Sequence, residues 1–347
     1  MTSPAPFELA VLIGRFQPFH NGHAGLLEIA LANAPQVIVV LGSSFHAHSA
    51  KNPFTSEDRA AMIAGTLSAS DRERVSFVAI RDYYEDTRWA AAVREKVEAR
   101  AGGPRRTALV GHLKDSSSYY LKHFPQWDLI EAENMHDLDS TRIRRILFEA
   151  EDISVSLDVI AGLVPVAVRQ YLKGWSMLKP FTVLSWEHAK VAGYKASWSS
   201  APFPPIFSTV DAVVKTAHHV LLIKRGDFPG KGLWALPGGF LDQRERLIQG
   251  AMRELIEETR IAVLMSSLSD AFVESKVFDH PDRSQRGRTI THAHLFDLKT
   301  EHLPAVEAAD DAALAAWIPI AQLASMEDQF FDDHFHILNH FLRITDD

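Results

Sequence analysis

The sequence predicts two α/β domains joined by a short arm, the first built on a parallel sheet. Three observations carry the prediction. Short apolar runs alternate with amphipathic stretches from residue 7 to 173, composition changes over 174–205, and a glutamate-rich helical segment follows a Gly-Gly turn in the last third. A chain of 347 residues is long enough for two separate hydrophobic cores.

The apolar run at 7–13 reads as a first strand, and 24–34 reads as the helix after it. Further strands are expected at 37–41, 75–80, 107–110 and 129–130, with amphipathic segments at 59–69 and 89–101 between them. Strand and helix in alternation require crossover connections, hence a parallel, Rossmann-like sheet. Residues 164–172 read as a closing helix. The arm carries Pro180, Pro202, Pro204 and Pro205 with scattered serines. Its Trp175, Trp186 and Trp198 are too apolar for a free linker, so it should pack on something. Strands are then expected at 210–215, 220–224, 289–296 and 315–318, a helix over 254–258, and a last helix at 332–342. The expected domains are therefore 1–174 and 206–347, with 175–205 as the connecting arm.

Composition excludes several classes. The apolar share is 46% and the charged share 23%, ordinary for a globular protein. A formal charge of −8 argues against a nucleic-acid duplex as main partner, because such surfaces need a basic field. There is no Cys, so neither a disulfide scaffold nor thiol catalysis is available. No stretch approaches the ~18–20 apolar residues of a membrane span, and the start lacks a basic segment ahead of its apolar run. The expectation is a cytoplasmic enzyme without membrane partners; a homo-oligomer stays open. No G-x-G-x-x-G occurs, and the segment from Gly226 to Gly232 is too short for a P-loop.

The first strand runs into Gly14-Arg15-Phe16-Gln17-Pro18-Phe19-His20-Asn21-Gly22-His23. Strand, turn and helix in that order aim helix N-terminal amides at an anion. Two histidines three apart also suit zinc or a polar turn, although zinc needs further ligands. Downstream, Leu138-Asp139-Ser140-Thr141-Arg142-Ile143-Arg144 places a hydroxyl and a guanidinium at a helix start, a pairing suited to phosphate. These two segments resemble the H-x-G-H and I-S-x-T-x-I-R signatures of the nucleotidyltransferase superfamily, with Asp139 in place of the usual serine. The resemblance implies that His20 and His23 reach ATP phosphates, that Gly22 permits close approach, and that Thr141 and Arg144 serve the β- and γ-phosphates. The full Gly14–His20 run, Asn52-Pro53-Phe54-Thr55 through Arg59, and Gly111-His112-x-Lys114 through Tyr120 resemble nicotinamide mononucleotide (NMN) adenylyltransferases of the archaeal type. That implies Arg15 beside the reacting phosphates and Gly14, Phe16, Asn52, Arg59 and Ser140 as substrate-binding residues. Trp89 either stacks on the nicotinamide ring or is a core tryptophan.

The second domain carries Gly238-Gly239, Glu245 and Arg253-Glu254-Leu255-Ile256-Glu257-Glu258. Glu254, Glu257 and Glu258 share one helix face by their spacing, and three clustered carboxylates suit a hard cation, Mg²⁺ or Mn²⁺. This run resembles the Nudix box, which implies a C-terminal α/β Nudix domain with a mixed sheet. The box places metal on Glu254, Glu257 and Glu258, with Arg253 orienting them and Gly238 and Gly239 lining the substrate. Glu245 either supports the helix or reaches a metal through water, and Glu274 and Glu307 are candidates for a further general base. The family usually has glycine where this chain has Arg260, at a helix end that favours a left-handed backbone.

Together the chain resembles the bifunctional NMN adenylyltransferase/Nudix hydrolase family over nearly its whole length. The resemblance implies transfer of AMP from ATP to NMN, giving NAD and pyrophosphate, and hydrolysis of ADP-ribose to AMP and ribose 5-phosphate. Two other readings stay open: a Nudix half that senses a ligand without hydrolysing it, and an N-terminal half that adenylylates a different phosphorylated substrate.

Overall fold

The computed structural model describes residues 6–112, 121–132 and 138–345. The chain divides into two compact units, Met1–Ser185 and Trp186–Asp347.

In the first unit the order is β1 (Leu9–Gly14), α1 (Asn21–Asn33), β2 (Gln36–Leu41), α2 (Ser56–Thr66), α3 (Ala69–Arg74), β3 (Val75–Ala79), α4 (Asp86–Ala101), β4 (Thr107–Gly111), β5 (Asp128–Glu131), α5 (Ser140–Glu149), α6 (Ile153–Val159) and α7 (Val166–Trp175). The five strands pair in the order β3-β2-β1-β4-β5, every pair parallel. Strand β1 shows why both faces are covered: Ala10 and Leu12 join one core cluster, while Leu9, Val11 and Ile13 join the other. Each leucine, valine or isoleucine among them contributes about 1.5–3 kcal/mol when fully buried. Because β2 and β4 flank β1, strand order reverses there, and the crevice outside the carboxyl ends of β1 and β4 is where such sheets bind ligands.

The 175–205 arm is largely helical: α8 spans Lys179–Ser197, and the division between the units falls within it. Pro180 is the second residue of α8, a first-turn position where a missing N–H costs nothing. Of the three arm tryptophans, Trp175 is buried and packs edge-on against Phe54, whereas Trp186 and Trp198 remain exposed.

The second unit continues with β6 (Ile206–Thr216), β7 (His219–Arg225), β8 (Trp234–Ala235), β9 (Gly238–Phe240), α9 (Leu247–Thr259), α10 (Met265–Asp270), β10 (Phe272–Phe278), β11 (Arg288–Asp297), β12 (Ala312–Pro319) and α11 (His334–Leu342). Its sheet runs β10-β11-β6-β7-β12, with β8 on β7 and β9 on β6. The β6–β11 pair is parallel and the others antiparallel, so the sheet is mixed. Met252 and Leu255 of α9 pack with Ala212, Val214 and Leu221 of the sheet, which fixes the opposite face of α9 as the one that carries charge. No described helix is long and apolar enough to cross a membrane.

Two candidate active sites

In the first unit, β1 ends at Gly14 and the chain turns through buried Gln17 into α1. His20 caps α1: its Nδ1 accepts from the His23 amide at 3.4 Å, and His23 Nδ1 accepts from the His20 amide at 3.3 Å. The rings stack with centroids 3.6 Å apart. With Nδ1 accepting, a neutral His23 ring carries its proton on Nε2, a donor suited to an anion. Burial, with His20 and His112 nearby, holds the His23 pKa well below the usual imidazole value.

Helix α5 docks on the same turn. Arg144 Nη1 donates to the Gln17 carbonyl at 2.6 Å, Arg144 Nη2 to Thr141 Oγ1 at 3.2 Å, and Ser140 Oγ to the Pro18 carbonyl at 3.2 Å. Asp139, where the family has serine, is the N-cap and accepts from the Thr141 amide at 2.9 Å, so the substitution preserves the cap. Burial, aided by Arg15, lowers the Arg144 pKa to about 10, so it stays cationic at neutral pH. The segment with Asn52 is tied in by the Gln17 side-chain amide, which bonds both the N–H and the carbonyl of Phe54. Asn52 Oδ1 and His112 Nε2 are buried without a hydrogen-bond partner among the described residues. Unpaired buried acceptors or donors of this kind are what a polar ligand would satisfy.

Two expected substrate-binding residues, Arg59 and Phe16, are buried, and Trp89 is partly packed. Arg59 is 1% exposed, and its guanidinium donates to Thr55 O, Arg15 O, Gly42 O and Ser44 Oγ at 2.6–3.0 Å. It therefore ties loops together from beneath. Phe16 is 2% exposed, with its ring edge-on to His23 at 4.8 Å, so it supports the imidazole from the core side. Trp89 is half-buried and meets Phe124 edge-on at 5.8 Å, which commits part of its ring to packing. Lys114 to Tyr120 lie outside the described residues.

In the second unit, Arg253 is the hub. It binds Glu245 through two nitrogens (2.7 and 3.0 Å), and its Nη1 reaches Glu254 at 2.9 Å and Glu257 at 2.8 Å. Its Nη2 also donates to the Phe240 carbonyl at 3.2 Å. Two carboxylates face inward: the Glu254 side chain is 12% exposed and Glu258 is 4% exposed, while Glu257 lies at the surface. Glu258 accepts from the Gly238 amide at 2.9 Å. Burial, with Glu254 and Asp211 nearby, nevertheless pushes its pKa up to about 8. Among the described residues no three acidic or histidine side chains converge as they would around an ion, since Arg253 draws the carboxylates to itself. The donor set still fits a hard divalent cation: all the candidate ligating atoms are carboxylate oxygens, and Glu258 is a buried acid beside Glu254 and Asp211.

Arg260 ends α9 at φ 41°, ψ 37°, keeping the left-handed turn despite its side chain, and pairs with Glu307 at 2.7 Å. Of the two general-base candidates, Glu307 is thus held in an ion pair and Glu274 sits on exposed edge strand β10. Sequence reasoning missed Asp211, which is 4% exposed on β6, accepts from Thr291 Oγ1 at 2.5 Å, and adds its charge beside Glu258. An aspartate in the apolar run of β6 was the available signal. Arg225, which the sequence offers only as part of the Lys224-Arg225 pair without a role, is the cation near Glu258; its guanidinium lies 4.3 Å from the Phe331 centroid.

Two family models match the chain, Cytidylyltransferase-like over residues 11–146 and NUDIX domain over 205–341. The first half is similar to the nicotinamide/nicotinic acid mononucleotide adenylyltransferase of Acinetobacter baylyi, 39% identical over 168 residues, which are 48% of this chain and 86% of that protein. The second half is similar to the ADP-ribose pyrophosphatase of Methanocaldococcus jannaschii, 32% identical over 134 residues, 39% of this chain and 72% of that one. Both halves together match the crystal structure of a bifunctional NMN adenylyltransferase/ADP ribose pyrophosphatase from Francisella tularensis, complexed with AMP and a Mn ion. That match has 36% identity and a TM-score of 0.88, and covers 97% of this chain and 99% of the other. The chain belongs to the bifunctional NMN adenylyltransferase/ADP-ribose pyrophosphatase family.

Proposed function

We propose that this chain is a two-site enzyme of NAD metabolism. The first site, assigned to residues 1–174, transfers AMP from ATP to NMN. An oxygen of the NMN 5′-phosphate attacks the α-phosphorus of ATP, the bond to the β,γ-pyrophosphate breaks, and NAD and pyrophosphate leave. The observation that carries this reading is the stacked His20–His23 pair on the turn that Arg144 clamps. The imidazoles donate from Nε2 to phosphate oxygens, while Arg15, Thr141 and Arg144 gather charge on the triphosphate. No covalent intermediate is needed, so these groups act by position and charge. Gly14, Gly22, Asn52 and Ser140 shape the nucleotide seat in this reading, with Arg59 and Phe16 bracing it.

The second site, assigned to 206–347, hydrolyses ADP-ribose to AMP and ribose 5-phosphate. Glu254, Glu257 and Glu258 would hold Mg²⁺ or Mn²⁺, which when bound supplies Lewis acidity to the pyrophosphate and to water. Arg253 keeps those carboxylates oriented, and Glu245 anchors Arg253 in turn. Gly238 and Gly239 let the diphosphate approach the backbone. The complete set of box carboxylates, ordered by one arginine, favours hydrolysis over ligand sensing. Residues 175–205 connect the two domains in this reading, and a cytoplasmic enzyme is the localisation it carries.

Paired variants test both halves. His23→Ala should cut NAD synthesis by at least ~10²-fold, the loss expected for a transition-state charge contact, and spare ADP-ribose hydrolysis. Glu257→Gln should do the reverse, read as AMP release with Mg²⁺ or Mn²⁺. Normal NAD synthesis by His23→Ala sinks the first assignment. No hydrolysis by the parent on any nucleoside diphosphate sinks the second and favours the sensor reading.

A further inference from the structure

The mixed sheet of the second unit ends in a strand with one side open. Among the described residues β10 pairs with β11 alone, so it is an edge of the sheet. The outer row of its backbone N–H and C=O groups is a template for a further strand. Six of its seven residues are exposed. The apolar ones among them, Phe272, Val273 and Val277, are 38%, 51% and 45% exposed. A single surface valine carries no meaning, but three large apolar residues on one short unpaired edge make a surface that strand addition would cover.

Edges are commonly blunted by a bulge or by charge, and β10 has both. A bulge between Phe272 and Glu274 leaves Glu274 to Phe278 as the regular stretch, and that stretch carries Glu274 and Lys276. What two such charges exclude depends on the partner. In a sheet that continues across a twofold axis, both copies turn the same face the same way. Opposed residues must then lie an even number of positions apart. Three registers meet that condition with both charged residues inside the overlap. An axis through Glu274 sets Glu274 against its own copy, and one through Lys276 sets Lys276 against its own copy. An axis through Ser275 puts Glu274 of each copy opposite Lys276 of the other, twice over, and brings Val273 opposite Val277. The charges that disfavour both slipped registers therefore favour this one.

We propose that two copies of this chain associate through β10, paired antiparallel about Ser275, so that their mixed sheets run on as one. An isologous contact of this kind closes on itself, which limits it to two copies. The test is sedimentation of the full-length chain across a concentration series, where the parent should pass reversibly from monomer to dimer. Lys276→Glu sets like charges opposite each other at both places and should raise the dimer Kd by at least ~10-fold at low salt. Glu274→Lys should do the same. The double exchange, Glu274→Lys with Lys276→Glu, restores unlike pairs and should recover most of the affinity. Both residues are exposed, so melting curves taken where all variants are monomeric should coincide. The register has its own readout, because the chain contains no Cys. Ser275→Cys meets its own copy across the axis at a Cβ spacing of about 4.5–5.5 Å, near disulfide reach, and should give a covalent dimer on mild oxidation. Val277→Cys faces Val273 and should not. A parent that stays monomeric throughout overturns the proposal and leaves β10 a guarded edge. An assembly that dissociates alike in the parent, single and double charge variants overturns it too, by placing the interface on another face. Cross-linking through Val277→Cys in preference to Ser275→Cys rejects the register and with it the charge pairing.

Discussion

Gly238 and Gly239 are neighbours in β9 with different constraints. A Cβ on Gly238 would lie 2.3 Å from the Val210 carbonyl oxygen, which is backbone of the central strand β6 and cannot yield cheaply. On Gly239 the obstacle is the Glu254 carboxylate tip. Gly238→Ala should therefore cost about 1–3 kcal/mol of stability, as overpacking does. Gly239→Ala should melt near the parent but lose at least ~10-fold in ADP-ribose hydrolysis by displacing Glu254 from Arg253. Urea melts and rate assays on the pair check this, and equal stability losses would remove the distinction. His23 gives a second residue-scale prediction. Its folded pKa is depressed from 6.5, so its contribution to stability is complete above that pH and is lost as pH falls toward the folded value. The parent should lose more stability than His23→Gln between pH 6.5 and about 5. The comparison isolates His23 from the buried imidazoles of the second unit, His294 and His334, which shift the same way. Parallel pH profiles for parent and variant would count against the depressed pKa.

Among the elements, those with one period were legible and those with mixed surroundings were not. The expected strands at 37–41 and 75–80 fall within a residue of β2 and β3: β2 is buried over Val37–Leu41 and reads as a continuous apolar run, while edge strand β3 keeps Val75 and Val78 buried in a short apolar stretch broken only by Ser76. Strand β10 was missed: six of its seven residues are exposed at the sheet edge, so FVESKVF shows neither a buried run nor a clean alternation. Helix α8 was read as an arm because Pro180 and the tryptophans masked a helix that simply begins there. In the sites, sequence spacing located the carboxylates and histidines but not the buried locations of Arg59 and Phe16, since motif position carries no information about which side of the turn a side chain takes. The end of α9 offers a test of such local strain. Arg260 holds a left-handed backbone that glycine adopts without penalty, and its ion pair with Glu307 is largely exposed and so worth little. Arg260→Gly should stabilise the protein by about 0.5–1 kcal/mol, read as a raised unfolding midpoint with hydrolysis unchanged. A lower midpoint would mean that the Glu307 contact outweighs the backbone strain.

At the scale of the molecule, 44 acidic side chains face 36 Lys and Arg, and the excess bears directly on the second site. One guanidinium, Arg253, is shared by Glu245, Glu254 and Glu257, while Glu258 has the Gly238 amide. That arrangement leaves more carboxylates than nearby positive charge in a partly desolvated place, which a divalent cation bound only by the folded state would correct. Mg²⁺ or Mn²⁺ should accordingly raise the unfolding midpoint, by the equivalent of about 2.7 kcal/mol at a hundred times Kd. Glu258→Gln removes the buried carboxyl, pushed up to about 8 without the cation, that would ionise on binding it, and should abolish the rise, while itself melting no lower than the parent in EDTA. Matched ionic strength separates site binding from general screening of the net charge, which weakens repulsion over roughly 8–10 Å without regard to one residue. An equal metal-induced shift in parent and Glu258→Gln would assign the stabilisation to that diffuse screening and take Glu258 out of the ligand set.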